Sequence, residues 1–141
     1  MKLSYCAGKT DHGGNPYVAD IERSAIQNTN FRTAIWTGSH LQMTLMCIPA
    51  GGEIGWEIHS DTDQMLRVEQ GSGIVKMGRC KNQTECQQNL CKGDVIFIPA
   101  GTWHNVANIG RCPLKLSSVY APPNHPKGTI EPTKSDAERE E

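Results

Sequence analysis

Glycine and proline punctuate this chain at intervals that leave room only for brief extended runs. Between residues 17 and 121 the turn signals recur every eight to twelve residues, the spacing of an all-β sandwich or barrel. Gly71-Ser72-Gly73 reads as a tight corner, because glycine takes a positive φ without steric cost. Pro99-Ala100-Gly101 reads as another, with proline ending a strand and glycine turning the chain. The runs between corners predict strands over residues 17–21, 31–36, 42–48, 54–59, 64–70, 73–77, 94–98, 105–108 and 114–121. No helical periodicity runs through the central hundred residues, and the polar, cysteine-containing residues 78–92 read as a longer hairpin arm. An antiparallel jelly roll accommodates the count and the spacing. At 141 residues one domain is expected. A loose N-terminal arm covers 1–16, a barrel 17–121, and a Pro-rich, charged C-terminal tail 122–141. Within that tail, residues 133–141 suit a short helix capped by Thr133 or Ser135.

Four side chains with nitrogen or oxygen donors stand beside these corners. Glu57 and His59 are two apart, so on a strand they point to one face. Gln64 follows, and His104 comes forty residues after Gln64. From two hairpins of one barrel, the four could converge on a single ion. Asp61 and Asp63, between them, read as solvated turn residues. If Gln64 points inward, alternation sends Leu66, Val68 and Gln70 inward, with Arg67 and Glu69 outward. Tyr120 shares a face with Leu116 and Ser118 and reads as a tyrosine packed at the barrel mouth; His40 reads as a loop histidine. Trp36, Trp56, Trp103 and Phe97 are as suited to core or interface as to a substrate platform.

These motifs resemble those of a small single-domain cupin. The family's first motif is Gly, five residues, His-x-His, three or four residues, Glu, six residues, Gly. Here Gly51, Glu57, His59, Gln64 and Gly71 occupy the fixed positions. The second motif is Gly, five residues, Pro-x-Gly, two residues, His, three residues, Asn, and Gly93, Pro99, Gly101, His104 and Asn108 match every one. The resemblance implies a cupin jelly-roll (double-stranded β-helix) barrel and a metal held by Glu57, His59, Gln64 and His104. Two departures compensate: Glu57 replaces a histidine and Gln64 replaces the glutamate, so the set still carries one negative charge. Two imidazoles and two oxygens suit a divalent transition metal, Mn, Fe, Ni or Zn, better than calcium. Residues 30–38, 101–105 and 114–126, with Gly128-Thr129, look like a group of short cupins described as similar to mannose-6-phosphate isomerase.

That resemblance implies an isomerase-like enzyme in which the ion polarises the carbonyl of a small sugar or hydroxy-carbonyl compound. The alternatives are an iron-dependent dioxygenase and a non-catalytic small-molecule-binding cupin. The catalytic base is unassigned. Arg32, Arg67, Lys76 and Lys115 are scattered in the sequence and form no evident phosphate cradle. A formal net charge of −1 without a basic block speaks against nucleic acid and anionic membranes. No apolar run approaches the ~20 residues of a spanning helix. The apolar stretch at residues 1–8 is short of a secretory signal, so a cytoplasmic protein with free thiols among its six cysteines is expected. Cys80, Cys86 and Cys91 lack the pairing of a zinc site. A homodimer is the family expectation.

Overall fold

The structure, a computed structural model, describes residues 10–139. The short apolar start, Cys6, most of the expected N-terminal arm and the last two residues of the expected tail helix lie outside the described residues. The elements in order are α1 (Ile21–Gln27), β1 (Arg32–Thr37), β2 (Gln42–Ile48), β3 (Asp63–Gln70), β4 (Gly73–Gly78) and β5 (Cys86–Leu90). β6 (Val95–Ile98), β7 (Trp103–Asn108), β8 (Leu114–Ala121), β9 (Ile130–Glu131) and α2 (Lys134–Arg139) complete the chain. Two antiparallel sheets face each other: β6-β3-β8-β2-β1-β9 and β5-β4-β7. This is the all-β jelly roll expected from the corners.

Strand alternation sorts the large sheet's side chains into layers. Ile48 opposes Leu114, and the next inward layer is Arg32, Met46, Leu116 and Val68. Above it lie Ala34, Thr44, Ser118, Leu66 and Ile96, then Gln42, Tyr120, Gln64 and Ile98. The interior therefore grades from aliphatic at one end to hydroxyl, amide and phenol at the other. Ile54, Val75, Leu90 and Val106 close the apolar end from the smaller sheet's side. That gradient decides where polar chemistry can sit.

Several elements depart from the sequence reading. Residues 17–21 form no strand; Asp20 instead caps α1, its carboxylate accepting from the Arg23 amide at 3.0 Å. Ile21 and Ala25, one helical turn apart, pack with Met43, Leu45 and Ile35 on the outer face of the large sheet. Residues 54–59 are held alongside β7 by isolated bridges, Glu53 to Ala107 and Glu57 to His104, with Gly55 at φ 100° interrupting a regular strand. Residues 11–15 are fastened rather than loose: the His12 amide donates to the Ile35 carbonyl, and Thr37 donates to Asp11. The tail returns to the barrel, β9 pairing with β1 and the Asn124 and His125 amides donating to Gln42. Thr133 caps α2 as expected, its hydroxyl accepting from the Asp136 amide. A bulge between Val68 and Gln70 sets Gln70 opposite Lys115, in an outer layer and not facing inward. Glu69 is buried, 1% exposed, and accepts from Ser117 at 2.6 Å.

Candidate metal centre

β7 carries His104 inward at the polar end, opposite Met77 of β4. The segment before β3 is laced to β7 so that Glu57 meets it. The Glu57 amide donates to the His104 carbonyl and the His104 amide to the Glu57 carbonyl, both at 3.0 Å. Asn105 reinforces this, accepting from the Gly55 amide and donating to Glu53, each at 2.8 Å. His59 is positioned by the second corner, where the Gly101 amide donates to its carbonyl at 2.9 Å. Gly101 at φ 82° supplies the left-handed conformation that this turn requires.

The result is a cluster of Glu57, His59 and His104 whose ligand atoms all lie within 4.8 Å of one another. Glu57 Oε2 is 3.4 Å from His104 Nε2 and 3.7 Å from His59 Nε2. The imidazole centroids are 5.4 Å apart. His104 Nδ1 lies 2.9 Å from the Thr102 carbonyl, which can only accept, so the proton sits on Nδ1 and the Nε2 lone pair faces the cluster. Gln64, 3% exposed, donates through Nε2 to the Ser118 hydroxyl at 2.9 Å.

Three buried polar atoms in this region have no partner: His59 Nε2, His104 Nε2 and Gln64 Oε1. A buried donor or acceptor left unpaired costs about 1–3 kcal/mol. The two imidazole nitrogens and the Glu57 carboxylate make a mixed nitrogen and oxygen donor set, while Gln64 Oε1 belongs to the layer of Tyr120 and Ile98. That donor chemistry fits a first-row divalent ion. Burial alone pushes the Glu57 carboxyl up; only when His104 and His59 carry Nε2 protons do their hydrogen bonds and charge outweigh it and hold the group well below the ordinary carboxylate range.

A cavity of about 450 Å³ opens over the cluster, walled by Trp56, Trp103, Arg32, Lys81 and His125. A second, of about 350 Å³, adjoins it and shares Arg32, Trp56, Glu57 and Lys81. Tyr120 is fully buried and packs edge-on to both His59 and His125. Burial pushes its phenol up, so the hydroxyl keeps its proton and can donate to His125 Nε2, 3.3 Å away. Burial and the Arg32 charge push the His125 imidazole down to about 3.

His40 is exposed in the link between β1 and β2 and does not line this cavity, and Asp61 is exposed. Asp63 is partly engaged, accepting from the Ala100 amide at 2.9 Å. Trp56 and Trp103 wall the cavity, Trp36 donates to the Asn15 carbonyl, and Phe97 is 71% exposed on β6. Cys47, Cys80, Cys86, Cys91 and Cys112 are free thiols, and among the described residues none joins a metal-ligand cluster. His125 and Lys81 went unmarked in the sequence. No motif spacing flags either, because each reaches the cavity from an irregular segment.

Residues 44–120 match the family model for the cupin domain. The chain is 56% identical over 127 residues to the uncharacterized protein YrkC of Bacillus subtilis (strain 168), covering 90% of this chain and 68% of that protein. It is 37% identical over 116 residues to the uncharacterized protein L612 of Acanthamoeba polyphaga mimivirus, covering 82% and 71%. The crystal structure of BH2720 from Bacillus halodurans superposes with a TM-score of 0.91 at 52% identity, covering 92% of this chain and 98% of that one.

Proposed function

The chain belongs to the cupin domain family, and on that premise we propose a metal-dependent, isomerase-like enzyme acting on a small sugar or other hydroxy-carbonyl compound. One observation supports it most: buried, partnerless His59 Nε2, His104 Nε2 and Gln64 Oε1 occur with a carboxylate, Glu57, within reach of both imidazoles. Glu57, His59, Gln64 and His104 would hold a manganese, iron, nickel or zinc ion. Bound there, the ion supplies Lewis-acid polarisation of a carbonyl oxygen. The chain's own residues do the rest. Trp56 and Trp103 wall the cavity and limit water around the substrate. His125, neutral through the physiological range, faces the Tyr120 hydroxyl and can accept a hydrogen bond from it, which orients the imidazole on the cavity wall.

The test is exchange of a substrate's α-hydrogen with solvent deuterium, followed by NMR over a panel of aldoses, ketoses and hydroxy-ketones. Exchange that depends on added metal and disappears in His104→Ala is expected. Two imidazoles with one carboxylate also favour iron-dependent oxygen chemistry. Oxygen uptake with iron alone, and exchange with no metal, would replace isomerisation by that reading.

A further inference from the structure

The cavity over the cluster contains two cationic groups that the four donor residues leave unused. Arg32 projects from β1 into the layer of Met46 and Leu116, and its side chain is 4% exposed. It lines both cavities. Glu131 engages only Nη1 of the guanidinium, and the Nε–H is buried without a partner. A ligand oxygen would relieve that unpaired donor. Lys81 stands on the wall of the same two cavities, its ammonium 5.8 Å from the Trp103 ring centroid. Among the described residues it makes no ion pair. Arg67, Lys76 and Lys115 line neither cavity and Lys134 lines only the smaller, so among the described residues Arg32 and Lys81 are the cations common to both.

Charge then selects the ligand. In the larger cavity Arg32 and Lys81 balance Glu57 and Glu131. A divalent ion at the cluster leaves that balance positive, and an anion reduces the excess. We propose that the cavity takes a small hydroxy- or oxo-acid, its carboxylate seated between Arg32 and Lys81 and its hydroxyl or carbonyl oxygen toward Glu57, His59 and His104. This rests on the metal-centre reading and narrows its substrate class. Carboxylate fits better than a phosphate dianion. Glu131 already occupies part of the guanidinium, leaving one guanidinium edge and one ammonium for a group with two oxygens and a single charge.

Calorimetric titration with glycolate, its uncharged analogue glycolamide and inorganic phosphate tests this on nickel-loaded and metal-stripped protein. Elemental analysis comes first. The variants are Lys81→Ala, at an exposed position, and Arg32→Gln combined with Glu131→Gln, which removes both charges of the buried pair together. Loaded wild type binds glycolate most tightly. Lys81→Ala weakens glycolate about tenfold without affecting glycolamide, the scale of one charge-assisted hydrogen bond. The double variant loses a similar factor, and metal content is unchanged in both. Should the double variant misfold, Lys81→Ala decides alone. Wild-type glycolate affinity in the variants, or phosphate binding tighter than glycolate, overturns the assignment. A chain that takes up no metal contradicts the metal centre instead. The metal-stripped titration then decides the anion seat: glycolate binding weakened by Lys81→Ala upholds it, and binding that is absent or insensitive overturns it.

Discussion

Replacing Gln64 by glutamate changes a single group at a side chain 3% exposed, and its consequence should reverse when metal is added. Gln64 now donates to the Ser118 hydroxyl. A hydroxyl can donate as well as accept, so that hydrogen bond survives the exchange. The new carboxylate lies in the layer of Tyr120 and Ile98, and neither strand partner carries a cation to oppose it. Burial raises such a carboxyl; a shift of about 2.5 units at 1.36 kcal/mol each costs the metal-free variant about 3.4 kcal/mol at pH 7. The sign follows from proton binding: the folded variant keeps its proton longer than the unfolded chain. The deficit is therefore absent below about pH 4 and grows as pH rises toward 7. A divalent ion pairs the carboxylate and removes it, equivalent to about three-hundredfold tighter metal binding. Scanning calorimetry of both proteins, stripped and metal-saturated, reads this at pH 7 and pH 4.5. At about 3 °C per kcal/mol for a chain of this size, the stripped variant melts roughly 10 °C below wild type at pH 7. Metal closes that gap. Equal melting of the stripped proteins, or equal metal-induced shifts in both, would refute the placement of Gln64 among the donors.

Asn108→Ala removes three hydrogen bonds, to the Ile48 and Cys112 carbonyls and from the Gly110 amide. At about 1 kcal/mol each the variant loses roughly 3 kcal/mol in urea unfolding without losing metal. Glu131→Leu leaves the Arg32 guanidinium buried and uncompensated, a loss of about 3–5 kcal/mol. Arg32→Met with Glu131→Leu recovers most of it by the same measurement. The His125 imidazole sits at about 3, below its usual 6.5. The unfolded chain binds a proton that the folded chain refuses between those values, so this contribution is complete above pH 6.5 and is lost on acidification toward 3. Metal-free His125→Gln accordingly shows a smaller drop in urea midpoint between pH 7 and pH 5 than wild type.

The corners carried most of the legible information. Gly71, Gly93 and Gly101 all adopt positive φ, a demand visible in sequence because few other residues meet it. Period-two alternation placed Leu66 and Val68 correctly and failed one step later, where the bulge before Gln70 shifts the phase. Nothing in the residue types announces that insertion. Helix α1 was signalled by Asp20 before Ile21 and Ala25, yet its seven residues are too few for periodicity to outweigh the β-like Tyr17-Val18. Glu57, His59 and His104 were legible as a cluster because two motifs fixed their spacing. Arg32, Lys81 and His125 were not legible as cavity residues. They reach the cavity from the start of a strand, an arm and a returning tail, and only the folded topology brings these together.

The most direct test is elemental analysis of protein purified without an affinity tag, wild type beside His104→Ala, with matching circular dichroism spectra. About one transition-metal ion per chain in wild type and a small fraction of that in the variant is the expected result, since one of the four proposed donors is gone. Equal metal content in the two, or none in a wild type dialysed against manganese, iron, nickel and zinc in turn, contradicts the metal centre.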